Sequence, residues 1–364
     1  MTRIVCFVAN PAWPHVEKWV KWFSASPDYE VHLLSEIEPG FGGVHWHRFD
    51  AQGPSFLPWT FRAFRAFRRA YDLIRPDLLH MHNLEYMMFP ASLAWNGPAI
   101  LTTYGLDITL FDSPGSSWKA RALKRMVLRR ASAVTAASGF LADLTAKIGG
   151  LAPGKVQVTP FGVDTEVFRR RVPRSSDGWL TVGMPKDLKP EYAPRDFIQA
   201  IAILAERGLK VRGFIQGDGP EREGAQSLIR ELGIGSRMEI RGRVPLDSMR
   251  EIYESMDVCV LPSLRESFGV AALEAQSMEV PVVATRVEGL AEVVVDSLTG
   301  LQIPERNPAA IADALEKLAV NPGLRLRMGR VGRDFVLDRF DWRKTVLVMD
   351  GLYRRLTASG KGCS

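Results

Sequence analysis

The sequence predicts an α/β protein built from two doubly wound domains, and three observations carry that prediction. Short apolar runs alternate with longer amphipathic stretches from one end of the chain to the other. Two such β–α series follow one another, each about 150 residues long, which suits two open parallel sheets better than one barrel. Between them, around Asp164–Ser176, the chain reads RRRVPRSSDG, a charged, proline-bearing and aperiodic stretch that marks a boundary. The first domain is therefore 1–168 and the second 177–341.

Strands of a parallel sheet are covered on both faces, so they read as continuous apolar runs. On that basis the first domain has strands near Arg3–Val8, Glu30–Leu34, Val44–Phe49, Asp77–Met81, Ala99–Thr103 and Ala133–Ala136. The second has strands near Leu180–Gly183, Val211–Gln216, Met238–Arg241, Val258–Leu261, Val280–Ala284 and Gly300–Ile303. Helices fill the intervals. In such sheets ligands bind outside the carboxyl ends of the strands.

Composition narrows the class. The chain has 364 residues, 46% of them hydrophobic, enough for two ordinary cores. No apolar run approaches the ~20 residues of a membrane span, and the start, MTRIVCFVANPAW, reads as a first strand rather than a signal peptide. Three cysteines (Cys6, Cys259, Cys363) make no disulfide framework, so a cytoplasmic protein is expected. The net charge of +6 is concentrated: Thr60–Arg130 holds eleven Lys/Arg against five Asp/Glu. Without a recognition motif this does not read as a nucleic-acid footprint. Phe61, Phe64, Phe67, Tyr71 and Ile74 interleave with Arg62, Arg65, Arg68 and Arg69, and Trp118, Ala122 and Met126 lie among six further basic residues. Residues 60–75 and 117–131 thus read either as core faces with charged exteriors or as basic helices that dock on an anionic membrane surface.

The densest chemistry lies in DVCVLPSLRESFGVAALEAQSMEVPVVAT, Asp257–Thr285: strand, loop, helix, strand. Gly269 admits close approach of a ligand to the backbone, and the N–H groups where Phe268, Gly269 and Val270 open the helix suit a phosphate. Glu266 in the loop and Glu274 in the helix could bracket that phosphate. A carboxylate accepts two hydrogen bonds side by side, which suits the vicinal diol of a ribose or hexose.

The spacing P-S-x-x-E-x-F-G-x-x-x-x-E resembles the E-x7-E signature of the retaining family 4 (group 1) glycosyltransferases of GT-B fold. Pro160-Phe161-Gly162-Val163-Asp164-Thr165-Glu166-Val167-Phe168 resembles that family's "PNGVD…F" joint. Gly217-Asp218-Gly219-Pro220 and Arg241-Gly242-Arg243-Val244 resemble its "G-x-G-P" and "G-x-V" loops, and Phe340-Asp341-Trp342 resembles its C-terminal end. The resemblance implies a cleft between two Rossmann-like domains, the nucleotide sugar held by the second and the acceptor by the first. It implies that a last helix, 342–358, crosses back onto the first domain. It assigns Glu274 to the ribose, Glu266 to the donor sugar, and the loops at Gly217, Gly219 and Arg241, Gly242, Arg243, Val244 to the donor. The Arg expected after the first strand of the second domain is Met184 here. The K-x-L-x-P-x-Y spacing makes Lys186 the first candidate for the diphosphate, with Lys189 second.

Thr103-Tyr104-Gly105-Leu106-Asp107 resembles the family's "T-x-H-G-x-D" turn with Tyr104 in place of His. Asp107 either orients substrate or caps the following helix. Asn10 and His15 follow the first strand without the usual glycine turn, and His82 ends another strand as a cleft-lining residue, while His80 reads as core. Two H-x-H pairs, His45/His47 and His80/His82, invite a metal, but no Cys or carboxylate cluster completes either, so no metal site is expected. No D-x-D triplet occurs. The expected activity is a retaining, metal-independent transfer from a nucleoside-diphosphate sugar to a glycan or lipid-linked acceptor, in polysaccharide or glycolipid assembly, at the inner face of the membrane. Two alternatives stay open. A nucleotide-sugar epimerase on the same fold would turn over the donor alone, and a degenerate binding protein would hold nucleotide without turnover.

Overall fold

A computed structural model describes residues 2–49, 56–109, 117–172 and 177–359. Cys363 and residues 173–176 of the expected linker lie outside the described residues. The chain forms two compact units, Met1–Pro160 with Thr345–Ser364, and Phe161–Lys344.

In the first unit seven strands run parallel: β1 (Arg3–Val8), β2 (Tyr29–Ser35), β3 (His45–Arg48), β4 (Leu78–His82), β5 (Ala99–Thr103), β6 (Ala133–Ala136) and β7 (Val156–Val158). Their order is β3-β2-β1-β4-β5-β6-β7. The central strands β4 and β5 are buried along their whole length, as parallel strands covered on both faces must be. β7 was not anticipated. It has three residues, only one of them buried, and such a strand leaves no apolar run to read. β3 is an edge strand of exposed and half-buried residues, shorter than its predicted Val44–Phe49.

The second unit holds β8 (Leu180–Met184), β9 (Val211–Ile215), β10 (Met238–Ile240), β11 (Val258–Leu261), β12 (Val282–Thr285) and β13 (Gly300–Ile303), in the order β10-β9-β8-β11-β12-β13. All pairs are again parallel. β12 starts at Val282 because Pro281, just before it, has no N–H to give a ladder; its carbonyl instead accepts from the Cys259 N–H at 3.0 Å.

Each sheet reverses its winding once, between β1 and β4 in the first unit and between β8 and β11 in the second. The strand order is that of a doubly wound fold, and these two points are where such folds bind ligands.

The division of the chain differs from the one read in the sequence. Residues 161–168, assigned there to the first domain, pack within the second unit. The Val163 N–H donates to the Phe340 carbonyl at 2.7 Å, the Trp342 N–H to the Val163 carbonyl at 2.9 Å, and the Phe161 ring meets Phe268 at 5.5 Å. The composition of RRRVPRSSDG marks an exposed stretch; it carries no information about where the preceding nine residues pack. The helix Trp342–Ser359 gives its residues from Thr345 onward to the first unit. There Tyr353 stacks on Phe23 at 4.3 Å, and Arg354 pairs with Asp28 at 2.6 Å.

Candidate active site

In the second unit the loops leaving β8 and β11 face one another across the winding reversal. Lys186 and Glu266 form an ion pair there, with side chains only 14% and 13% exposed. Burial works against the charge on Lys186, but the carboxylate of Glu266, with Tyr192 and Glu274 nearby, outweighs it and raises the ammonium's pKa above its ordinary value. The ammonium also sits 4.7 Å over the Tyr192 ring. Lys189 is more exposed and lies 3.9 Å from Asp187. Of the two lysines, only Lys186 pairs with a residue of the signature loop.

The Glu266 backbone is fixed from behind. Its N–H donates to Glu288 Oε2 at 2.9 Å, Arg265 donates to the other oxygen at 3.0 Å, and its carbonyl accepts from Gly289 at 3.1 Å. Glu274 lies in the helix Val270–Ser277 and accepts from the Tyr253 hydroxyl at 2.7 Å. Burial, and then Glu274 itself, push the Tyr253 phenol well above its usual pKa, so it stays a donor. Gly269 precedes this helix at φ +103°, a left-handed conformation, and as N-cap it offers no side chain to the first amides. Phe268 is buried between Phe161 and Phe340, while its neighbour Val270 is half-buried. Ser263 Oγ, buried where β11 ends, has no hydrogen-bond partner among the described residues.

Gly217 and Gly219 hold the Lys186 loop by close approach. A Cβ on Gly217 would stand 2.2 Å from the Lys186 carbonyl oxygen, and one on Gly219 would stand 2.4 Å from that of Leu188. The loop at Arg241–Val244 turns its charges elsewhere. Arg241 pairs with Glu239 at 2.8 Å and lies over Phe214, and Arg243 grips Asp187 with two bonds of 3.0 and 2.9 Å. Gly242 takes a left-handed turn at φ +80° and its carbonyl accepts from Gln216. Met184 is buried in the core.

In the first unit, His82 at the end of β4 hydrogen-bonds the Tyr104 hydroxyl, and the His15 ring lies 5.0 Å from Tyr104. His82, read as a cleft-lining residue, is 1% exposed, and burial and its histidine neighbours hold its pKa well below the ordinary value. Burial lowers His15 to about 4. His80 is a core residue between Tyr353 and Thr102, and burial takes it to about 3. Asn10 closes its own turn, accepting from the Ala12 N–H at 3.0 Å. Asp107 is a clamp: its two oxygens accept from the backbone N–H groups of Leu84, Tyr104 and Gly105 at 2.9, 3.1 and 2.8 Å. Burial raises its pKa, against the pull of those three amides.

Tyr253, Glu288 and Gly289 were missed as supporting residues, and Tyr192 entered only as the last position of the K-x-L-x-P-x-Y spacing. No periodicity links Tyr253 to Glu274 across 21 positions. Glu288 carried one faint signal, its place beside Gly289, whose Cβ would stand 2.1 Å from the Ser267 carbonyl.

The family model for glycosyl transferases group 1 matches residues 168–335, and that for glycosyltransferase family 4 matches residues 15–167. A D-inositol 3-phosphate glycosyltransferase from Saccharomonospora viridis is 32% identical over 314 residues, covering 79% of this chain and 72% of that one. The chain belongs to the family 4 (group 1) glycosyltransferases. Another relative of this glycosyltransferase, a 2-deoxystreptamine glucosyltransferase from Streptomyces kanamyceticus, is 28% identical over 60% of this chain and 59% of its own. In fold it resembles sucrose-phosphate synthase from Thermosynechococcus elongatus (TM-score 0.81, 19% identity, 98% and 100% of the two chains covered). It also resembles Anabaena HepE in complex with UDP (TM-score 0.80, 16% identity, 98% and 100% covered). The fold is GT-B.

The basic stretches of this glycosyltransferase divide into two kinds. In the helix Phe56–Ile74, Phe67, Tyr71 and Ile74 are buried in the core and Phe64 packs against it, whereas Phe61 is 61% exposed. In the helix Trp118–Arg130, Arg125, Arg129 and Arg130 donate to the carbonyls of Ile148, Gly149 and Ser92, so part of the positive excess caps the C-terminal ends of the helices Gly139–Gly149 and Met88–Leu93. Trp118 and Met126 remain exposed. No helix of the described residues is long and apolar enough to cross a membrane.

Proposed function

We propose that this glycosyltransferase takes a sugar from a nucleoside-diphosphate donor with retention of configuration and without a metal ion. The observation that carries the reading is the buried Lys186–Glu266 pair at the winding reversal, with Glu274 one helix away. Glu274, oriented by Tyr253, binds the ribose hydroxyls. The amides at Phe268, Gly269 and Val270 receive the diphosphate, and Glu266 holds the donor sugar. Lys186 supplies the cation that a departing diphosphate requires. In the reaction the bond from the anomeric carbon to the diphosphate oxygen breaks, its electron pair leaving with the diphosphate. An acceptor hydroxyl oxygen bonds to that carbon on the same face, and its proton passes to a diphosphate oxygen. Tyr104, His82, His15 and Asn10 are the acceptor-side residues in this reading, with Asp107 holding their loops.

A thermal-shift panel of UDP, GDP and ADP, with and without EDTA, tests it. UDP comes first because the HepE structures carry it. Ligand at 100 times its dissociation constant adds about 2.7 kcal/mol, a rise of several degrees. The expected result is stabilisation by one nucleotide family, unchanged by EDTA and lost in Glu274→Ala. No shift with any nucleotide overturns the donor reading. Conversion of the sugar nucleotide to its epimer without acceptor favours the isomerase instead.

For the acceptor, a glycan or lipid-linked alcohol at an anionic membrane surface is supported by the exposed Trp118, Met126 and Phe61 among arginines. Binding to anionic vesicles is expected to fall with salt and with joint replacement of Arg62, Arg65 and Arg69. Salt-insensitive or absent binding leaves a soluble acceptor, and the named relatives direct that search to inositol phosphate and aminocyclitol rings.

A further inference from the structure

The parallel register of β2 and β3 pairs His32 with His45 and Leu34 with His47. Side chains on neighbouring parallel strands at paired positions share a face, and Glu30, two residues before His32, shares it too. The sequence showed two H-x-H pairs and no carboxylate beside either; the strand pairing supplies both a carboxylate and a third histidine to the first pair. Glu30 Oε1 lies 3.0 Å from His32 Nε2 and 3.9 Å from His45 Nε2. The ligand atoms of the three residues all lie within 4.8 Å of one another.

We propose that Glu30, His32 and His45 form a site for a divalent transition-metal ion, with His47 as its outer partner. Bonds of about 2.0–2.1 Å to nitrogen and oxygen in tetrahedral geometry put neighbouring ligand atoms about 3.3 Å apart, and the separations of 3.0 and 3.9 Å straddle that value. A metal-bound histidine characteristically gives its other ring N–H to an acceptor that fixes its tautomer. His32 meets that requirement: its Nδ1 lies 2.8 Å from His47 Nε2. Two imidazoles and one carboxylate, with room for water as the fourth ligand, suit Zn²⁺, Co²⁺, Ni²⁺ or Cu²⁺ rather than Mg²⁺ or Ca²⁺. The ion would tie an edge strand to its neighbour, since among the described residues β3 pairs with β2 alone. It stands apart from the donor site, in the other unit, and is independent of the reading given there.

The test uses the tag-free full chain, stripped with chelator and titrated calorimetrically with Zn²⁺ alone, then with Co²⁺ followed by visible absorption. One equivalent of Zn²⁺ is expected to bind and to raise the melting temperature, and Co²⁺ is expected to give the strong absorption of a four-coordinate ion. His45→Ala and Glu30→Gln should abolish stoichiometric binding, and His47→Ala should weaken it by about 10–100-fold. The His45 side chain is 64% exposed, so its variant should melt with the chelated wild type. Absence of stoichiometric binding, or binding unchanged in both His45→Ala and Glu30→Gln, overturns the site. Glu274→Ala should bind Zn²⁺ like the wild type.

Discussion

Replacing Lys186 with alanine is expected to lower kcat by on the order of 10²–10³, the loss typical of one group that stabilises charge developing in a transition state. The ammonium is nearly buried, and Glu266 holds it charged against the pull of desolvation. In such surroundings a cation acts far more strongly than in water. The check is steady-state turnover of the nucleotide sugar that stabilises the wild type, with the melting temperature of each variant alongside. Removing the lysine also leaves the Glu266 carboxylate without its partner, and Lys186→Arg separates the two effects. The arginine variant keeps the charge and should recover part of the rate. Lys189→Ala should change kcat by less than tenfold, since Lys189 is more exposed and faces Asp187. A Lys186→Ala enzyme within tenfold of wild type would remove Lys186 from the chemistry.

Gly217→Ala is expected to destabilise the second unit by about 1–3 kcal/mol, the usual range for forcing a methyl group into filled space. For a domain of this size that is a fall of about 2–4 °C in melting temperature per kcal/mol. The added Cβ would meet three backbone atoms: the Lys186 carbonyl oxygen at 2.2 Å, its carbon at 2.6 Å and Asp187 Cα at 2.9 Å. No rotamer change relieves a clash with backbone, so the loop bearing Lys186 must move. Nucleotide stabilisation should therefore drop together with the melting temperature. Gly235→Ala is the control, because its Cβ would have no neighbour within 4 Å. Equal behaviour of the two variants would show that the loop yields freely and that Gly217 has no positioning role.

Much of the fold was legible because a parallel strand buried on both faces writes its position as an unbroken apolar run. β11, Val258–Leu261, is fully buried and was read at its observed bounds. β7 escaped because three residues with one buried side chain make no such run, and β3 was over-extended because an edge strand is only half covered. Among candidate residues, Glu266, Gly269 and Glu274 sit on one continuous segment, and local spacing was enough to single them out. Tyr104, His82 and His15 were each named from separate strand ends, and the sheet brings their rings together. Asp107 could be read two ways from the sequence; the three backbone amides on its carboxylate show it closing loops.

By itself the sequence determined what is set by neighbours along the chain: two β–α series, the loop–helix turn at Gly269, and the family to which the motifs belong. Only the tertiary structure decided what depends on which distant segments become adjacent. It paired Lys186 with Glu266 across 80 positions, Tyr253 with Glu274, and His80 with Tyr353 across 273. It also moved residues 161–168 into the second unit and set Glu30 beside His45. The reason is physical. Apolar periodicity fixes which face of an element is buried, but strand order and register fix which polar groups meet, and those are properties of the assembled sheet.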